Sequence, residues 1–190
     1  MKIYLVRHGH VHHNASLQYN TKDEDLTDAW IEQAIKEKEK IKDIDFDIIY
    51  SSPLIKAKHT IQIITDNNSN IVFDDRLKER SRGSLIGQPL EVTNRIEYWN
   101  YYTDIQYGTS ENIQEFFKRV YIFLVDLKIK DYNSVLIVAH SGVSKAFSGY
   151  FEEIQDGKFL NRWLKNCEIK EYELWNYQLM WLWIFRWITI

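Results

Sequence analysis

Cysteine is almost absent from this sequence, since Cys167 is the only one among 190 residues. A single cysteine excludes an internal disulfide and suits a reducing compartment, so we expect a cytoplasmic protein. Proline is nearly as scarce, with Pro53 and Pro89 alone, and no repeat or low-complexity linker divides the chain. A chain of this length without a linker is typical of one domain, and we expect a single domain over residues 1–190.

Long apolar runs and a strong charge imbalance are also missing. The net charge is -3, so no global field favours nucleic acid or an anionic membrane, and local cations must capture any anionic ligand. The first apolar run ends at Arg7 and is too short for a signal peptide. The apolar stretch 179–190 contains Arg186 and is shorter than the roughly 20 residues of a membrane span. We interpret it as a strand or covering segment, with a homo-oligomer contact or membrane anchoring as alternatives.

Short apolar runs alternate with amphipathic stretches along the chain. Strands are predicted at 2–7, 46–50, 71–73 and 134–139. Helices are predicted near 26–41, at 53–65 with Ser52 as cap and Pro53 in the first turn, and at 111–128. The first and last strands are nearly continuous in apolar residues, as in parallel strands covered on both faces. The pattern predicts an α/β fold of three layers, a mostly parallel central sheet flanked by helices, with one or two more strands within 168–185.

Two histidines stand where predicted buried strands end. His8 is followed by Gly9, and His140 is followed two places on by Gly142. Because ligands of open α/β sheets bind at the carboxyl ends of the strands, we expect both imidazoles at one place. Glycine there lets the backbone turn sharply and a ligand come close. Three interpretations stay open at this point: a phosphate site with a histidine nucleophile, a metal site, or a polar strand end.

Six stretches, in chain order, resemble the motifs of the histidine phosphatase superfamily. They are LVRHGHVHHN (5–14), SSPLIKAKHT (51–60), LKERSRGSLIG (77–87), GTSENIQEFFKRV (108–120), VLIVAHSGV (135–143) and NCEI (166–169). Together they extend from near the start of the chain to about residue 170, which makes their joint specificity high. The resemblance implies a phosphoglycerate-mutase-like fold. It also implies a phosphomonoester hydrolase with a phosphohistidine intermediate and without cofactor or metal.

The resemblance also implies the roles of individual residues. His8 is the expected nucleophile, because a neutral imidazole attacks phosphorus without first losing a proton. Arg7 offers a planar fork to two phosphoryl oxygens, while His140 and Asn14 act as further donors. Glu79 is the expected acid for the leaving oxygen and then the base for water. That double role requires a carboxyl pKa raised by burial or nearby anions.

Lys56 departs from the family pattern, which has arginine at this position. Lysine keeps the charge but lacks the planar fork of arginine, so it holds phosphate with less directional control. A weakly active or non-catalytic phospho-ligand-binding protein is therefore an alternative function. Arg80 and Arg82 are predicted to bind substrate and, with His10 or His59, are candidates to compensate for the missing arginine.

Residues 88–107 are expected to form a short cap insertion over the site. Its aromatic residues are Tyr98, Trp99, Tyr101, Tyr102 and Tyr107, and its one basic residue is Arg95. The stretch WNYY (99–102) stands where a phosphoglycerate mutase is expected to keep an arginine pair. We therefore predict a phosphatase for a small phosphorylated metabolite rather than a mutase. Stacking of sugar- or ring-bearing substrates and simple packing are equal explanations of the aromatic residues.

A metal-dependent hydrolase is the alternative from another class. His8, His10 and His12 alternate, His13 is adjacent, and first-row metals bind imidazole readily. However, no nearby aspartate completes the cluster, and Arg7 would repel a divalent cation. We favour the metal-free mechanism, and a chelator distinguishes the two.

Overall fold

A five-stranded sheet lies at the centre of the computed structural model, which describes residues 1–9, 18–19, 28–66, 70–152 and 156–175. The strands are β1 (Lys2–Arg7), β2 (Ile48–Ser51), β3 (Ile71–Phe73), β4 (Ser134–Ala139) and β5 (Ile169–Glu173). Their order in the sheet is β3-β2-β4-β1-β5. The first four strands pair in parallel, and β5 pairs antiparallel with β1. The predicted mostly parallel sheet is therefore confirmed, and β5 is the strand expected in the tail.

Helices connect the strands. They are α1 (Asp28–Lys38), α2 (Ile55–Ile64), α3 (Arg95–Tyr98), α4 (Ile113–Lys128) and α5 (Ser141–Phe151). Short 3-10 turns at Asp75–Leu77, Gly83–Leu85 and Leu90–Val92 interrupt the long connection between β3 and α4. Helix α5 was not predicted from the sequence, and it begins directly after β4. Within the described ranges, none of the helices has the length and apolar character needed to cross a bilayer.

The sheet is covered on both faces. Ile3 and Leu5 of β1 belong to a buried cluster that includes Phe117 of α4. Val6, which points to the opposite face, belongs to a second cluster with Ile61 of α2. Strand side chains alternate between faces, so one apolar strand contributes to both clusters. The helices thus form two outer layers, and the predicted three-layer α/β fold is confirmed.

Helix α2 begins later than predicted, and Ser52 does not cap it. Leu54 occupies the N-cap position, so Pro53 precedes the helix instead of opening it. The N–H of Ser52 donates to the carbonyl of Val138 at 2.9 Å, which keeps the chain extended beyond β2. The Ser52 hydroxyl accepts from the N–H of Leu54 at 3.3 Å. This extension leaves the Ser52 side chain at the carboxyl edge of the sheet, close to His140.

The predicted cap segment, 88–107, contains one 3-10 turn and the short helix α3. Its aromatic residues divide by burial: Tyr98 and Trp99 are 1% and 5% exposed, whereas Tyr102 is 68% exposed. Tyr98 and Trp99 belong to the same buried cluster as α4. Packing therefore explains these two rings, one of the alternatives that the sequence left open. The single domain over residues 1–190, with this segment as its cap, stays a prediction.

Candidate active site

The two predicted histidines meet because β1 and β4 are adjacent and in register. Arg7 is opposite Ala139 in the ladder, so the following residues, His8 and His140, are neighbours. The N–H of His8 donates to the carbonyl of Ala139 at 2.9 Å. The ring centroids of His8 and His140 lie 5.0 Å apart, and both residues are buried. Two segments far apart in the sequence thus bring their imidazoles to one end of the sheet.

The His8 ring is held in one tautomer. Its Nδ1 lies 2.5 Å from the carbonyl oxygen of Gly9. Because a carbonyl can only accept, we assign the proton to Nδ1 and the lone pair to Nε2. Burial, followed by the neighbouring His140, Lys56 and Arg7, holds the pKa of His8 well below its usual value. The ring is therefore neutral at neutral pH and has a lone pair available for attack.

The His140 ring is oriented by Ser52. Nε2 of His140 lies 2.7 Å from the Ser52 hydroxyl oxygen. That oxygen already accepts from the N–H of Leu54. We therefore assign the Ser52 hydroxyl as the donor to Nε2 of His140, and we place the ring proton of His140 on Nδ1. Within the described part of the chain, this buried Nδ1 has no hydrogen-bond partner. Burial, then Lys56 and Arg7, lowers the pKa of His140, so the ring is a neutral N–H donor.

Arg7 is held by the segment that leads into β5. Its Nη1 donates to the carbonyl of Leu164 at 2.8 Å, and the Cys167 N–H donates to the Arg7 carbonyl at 2.9 Å. The Asn166 side-chain amide donates to the carbonyl of His8 at 3.1 Å. Among the residues that the structure describes, none accepts from the buried Nε of Arg7. The guanidinium is therefore fixed at one end while Nε keeps a donor for a ligand.

Lys56 lies on the first turn of α2 and is 5% exposed. Its charge is close enough to lower the pKa of both His8 and His140. One turn later, the Thr60 hydroxyl donates to the Lys56 carbonyl at 2.7 Å and accepts from the Gly9 N–H at 3.0 Å. Helix α2 thus supplies a cation and also fixes the turn after His8, a role for Thr60 that sequence reasoning missed.

Glu79 is held against the start of α5. One carboxylate oxygen accepts from the Gly142 N–H at 3.1 Å and from the Ser141 hydroxyl at 3.0 Å. Arg82 lies 4.0 Å from this same oxygen, and the other oxygen accepts from the Arg80 N–H at 2.9 Å. Burial raises the pKa of Glu79, but Arg82 and the two backbone N–H groups outweigh burial and bring the pKa to about 2. The expectation of a raised pKa is therefore wrong: the carboxyl is ionised at neutral pH.

The loop that carries Glu79 is fastened by Arg119, a residue that the sequence analysis did not single out. Its guanidinium donates to the carbonyls of Arg76 at 2.6 Å, Lys78 at 2.9 Å and Glu79 at 3.1 Å. It also pairs with the Glu111 carboxylate at 2.8 Å. Arg119 and Glu111 both lie in the motif 108–120, but the spacing within that motif does not reveal which loop the guanidinium reaches.

The two predicted substrate-binding arginines differ in their surroundings. Arg80 donates through Nε to the Glu111 carbonyl at 2.8 Å and through Nη1 to the Tyr98 carbonyl. Its guanidinium also lies 3.9 Å from the centre of the Tyr98 ring. These contacts join the cap to the Glu79 loop, and Arg80 also lines the cavity at this end of the sheet, so its role in substrate binding stays a prediction. Arg82 donates to the Tyr98 hydroxyl at 3.0 Å and faces Glu79, which leaves it as the better candidate for contact with substrate.

A cavity of about 730 Å³ opens at this end of the sheet. His8, Glu79 and a set of cationic side chains line it, and the His140 ring lies next to the His8 ring. The cations include Arg7, Lys56, Arg82, Arg95 and Lys145. In a chain with net charge -3, this concentration of positive charge favours an anionic ligand.

Some predicted residues lie outside the described residues: Asn14, His10, His12 and His13, as well as the aromatic end 176–190. Among the residues that are described, no group of three or more histidine, cysteine, aspartate or glutamate side chains is placed to hold a metal ion.

Comparison with known proteins gives concordant results. A phosphatase of Bacillus subtilis named PhoE, described as uncharacterized, is 34% identical over 181 residues, covering 92% of this chain and 91% of that protein. A putative phosphoserine phosphatase 2 of Hydrogenobacter thermophilus is 33% identical over 153 residues, covering 76% and 75%. The α-ribazole phosphatase from Shigella flexneri has the same fold, with a TM-score of 0.77 at 23% identity over 91% of this chain and 90% of that one. The sequence model of the histidine phosphatase superfamily (branch 1) matches residues 3–184. With that match over nearly its whole length, the chain belongs to the histidine phosphatase superfamily, branch 1.

Proposed function

We propose that this protein is a metal-independent phosphomonoester hydrolase that forms a phosphohistidine at His8. The observation that carries the proposal is the neutral His8 ring, whose Nδ1 proton is bound to the Gly9 carbonyl so that the lone pair is on Nε2. The ring lines a cavity rich in cations. The names of the Bacillus subtilis and Hydrogenobacter thermophilus relatives support phosphoester hydrolysis.

In the first step, Nε2 of His8 attacks phosphorus, and the bond from phosphorus to the ester oxygen breaks. Charge on the phosphoryl oxygens is balanced by Arg7 and Lys56, and the Nδ1–H of His140 donates to one oxygen. Catalysis here is mostly positioning and electrostatic stabilisation, so fixed donors and cations are what the reaction needs. Lys56 supplies charge without a planar fork, and the Nε of Arg7 offers a directional donor beside it.

The leaving oxygen needs a proton, which Glu79 passes on. Because the Glu79 pKa is about 2 in the resting site, the carboxylate does not bring its own proton at neutral pH. A phosphomonoester loses its second proton near pH 6, roughly, so the monoanionic substrate can deliver one. In the second step, water attacks phosphorus, and the P–N bond to His8 breaks to release phosphate. The anionic phosphoryl group beside Glu79 raises the carboxyl pKa above its value in the resting site, which lets Glu79 accept the proton of the water.

We place the activity on small phosphorylated metabolites in the cytoplasm and favour hydrolysis over phosphoryl transfer between substrates. The cap segment 88–107 has Arg95 as its one basic residue. A mutase must keep its substrate bound through two transfers, and this cap offers few cations for that purpose. The phosphohistidine is then more exposed to water than to a second substrate hydroxyl.

Turnover of an aryl phosphate by the purified protein, with and without a chelator, tests the proposal. We expect chelator-resistant activity, and a loss of about a thousandfold in His8→Ala because the nucleophile is removed. Lys130→Ala, which removes an exposed lysine just beyond the end of α4, is the control. Rapid quenching should trap an acid-labile phosphoryl group on His8. Chelator-sensitive turnover, or wild-type turnover in His8→Ala, would contradict the mechanism.

A further inference from the structure

Lys145 on α5 is a buried cation that the steps above do not use. It is 3% exposed, yet it contributes to the cavity wall. Its amine donates to the carbonyls of Phe159 at 2.7 Å and Leu160 at 2.5 Å. An ammonium group has three N–H donors, and these two carbonyls use two of them. Among the residues that the structure describes, no acceptor takes the third.

The position of Lys145 relative to Glu79 follows from helix geometry. Ser141, whose hydroxyl donates to the Glu79 carboxylate, lies four residues before Lys145 on α5. Residues four apart share a face of a helix and are separated by about one turn, roughly 5–6 Å. Lys145 therefore lies about one turn along α5 from the residue that holds the Glu79 carboxylate, and both side chains line the same cavity.

Two tryptophan rings contact the Lys145 amine, and this contact limits what the same rings can bind. The amine lies 4.9 Å from the centre of the Trp99 ring and 4.5 Å from the centre of the Trp163 ring. A cation over an indole face is favourable, and it occupies that face. These two faces are therefore engaged by Lys145 rather than open to a sugar or base. The Lys145 amine is thus held in a fixed position in the cavity wall.

The Lys145 charge is costly where it stands. Burial, with smaller contributions from Arg82, Arg7 and Arg95, lowers the Lys145 pKa to about 7, although Glu79 opposes the shift. A buried cation with an unused donor in a cavity wall is stabilised by an anion that binds there. One remaining donor matches a carboxylate better than a second phosphate dianion, which takes several charge-assisted donors at once.

We propose that Lys145 is the recognition site for a carboxylate on the leaving group, which makes the preferred substrates small phosphomonoesters of carboxylate-bearing alcohols. This inference rests on the proposed function, because that function places the phosphoryl group at His8 and the ester oxygen at Glu79. It assigns substrate choice to α5 and not to the cap, where Tyr98 is engaged in packing and Trp99 in holding Lys145.

Phosphoserine and phosphoethanolamine test the inference, since they differ only in the carboxylate. We expect wild type to prefer phosphoserine in kcat/KM. Lys145→Met keeps an unbranched side chain of similar length between the tryptophans. It should lower the ratio of the two specificity constants by about tenfold or more, the loss expected for one charge-assisted hydrogen bond. Lys130→Met, which removes an exposed lysine, should leave the ratio unchanged.

The failure of this inference can be told apart from the failure of the proposed function. If wild type hydrolyses an aryl phosphate through His8 but shows no preference for phosphoserine, or keeps its preference in Lys145→Met, the role of Lys145 is overturned. If wild type hydrolyses nothing, the proposed function fails. Calorimetric titration of wild type and Lys145→Met with the two ligands then still measures whether the carboxylate binds at Lys145.

Discussion

The carboxylate of Glu79 packs directly on the backbone of Gly142, accepting its N–H at 3.1 Å. A Cβ added at Gly142 would overlap Oε1 of Glu79 and press on the Phe116 ring. No other residue type allows this approach, because every other side chain begins with that carbon. The acid is thereby tied to the first turn of α5, immediately after His140. This contact, together with the Ser141 hydroxyl and the Arg80 N–H, sets the distance between the acid and the two histidines.

Gly142→Ala should therefore displace the Glu79 carboxylate while leaving His8 in place. We expect kcat for an alkyl phosphate to fall about a hundredfold, since a shift of about 1 Å in a catalytic group has an effect of that size. An aryl phosphate, whose leaving group needs little protonation, should lose less than tenfold. Thermal unfolding of the same variant checks that it remains folded. Equal losses on both substrates would show that the change disrupts more than the acid.

The low Glu79 pKa predicts how turnover depends on pH. Because the carboxyl is ionised above a pKa of about 2, the proton for the leaving oxygen arrives with the monoanionic substrate. For an alkyl phosphate, kcat/KM should therefore fall as pH rises through the substrate's second ionisation near pH 6, by about tenfold per unit beyond it. Glu79→Gln should lower kcat by about a hundredfold or more with the alkyl substrate and much less with the aryl one. A specificity constant that stays level from pH 6 to pH 8 would contradict this account.

The sequence predicted the strands and the meeting of His8 and His140 because both depend on local pattern and on one rule about parallel sheets. It did not predict the Glu79 pKa, which is set by Arg82 and by the N–H of Gly142, groups that only the folded chain brings together. The burial of Lys145 could not be predicted either. A lysine in an apolar helix does not indicate that its amine donates to two carbonyls 14 and 15 residues away.

Lys56 stands where the family has arginine, and this difference gives a further prediction. Lys56→Arg would restore a planar fork beside His8, and one added charge-assisted hydrogen bond should raise kcat/KM for an aryl phosphate by about tenfold. Lys58→Arg, two residues along α2 and directed at the Phe73 ring, is the matched control and should have little effect. If Lys56→Arg leaves the specificity constant unchanged, charge alone is what this position contributes.

Arg119 gives the last prediction, because it acts on the site through the loop that it fastens. Arg119→Lys keeps the charge but cannot reach three carbonyls and the Glu111 carboxylate together. We expect a loss of about 2–3 kcal/mol in the free energy of unfolding, seen as a lower Tm. Arg162→Lys, at a partly exposed pair with Glu152, should lose no more than about 0.5 kcal/mol. Below the Tm of the variant, kcat for an alkyl phosphate should fall more than kcat for an aryl phosphate, because the loop that loosens is the one that carries Glu79. Equal falls on the two substrates, or equal losses of stability in the two arginine variants, would show that Arg119 is not what positions the acid.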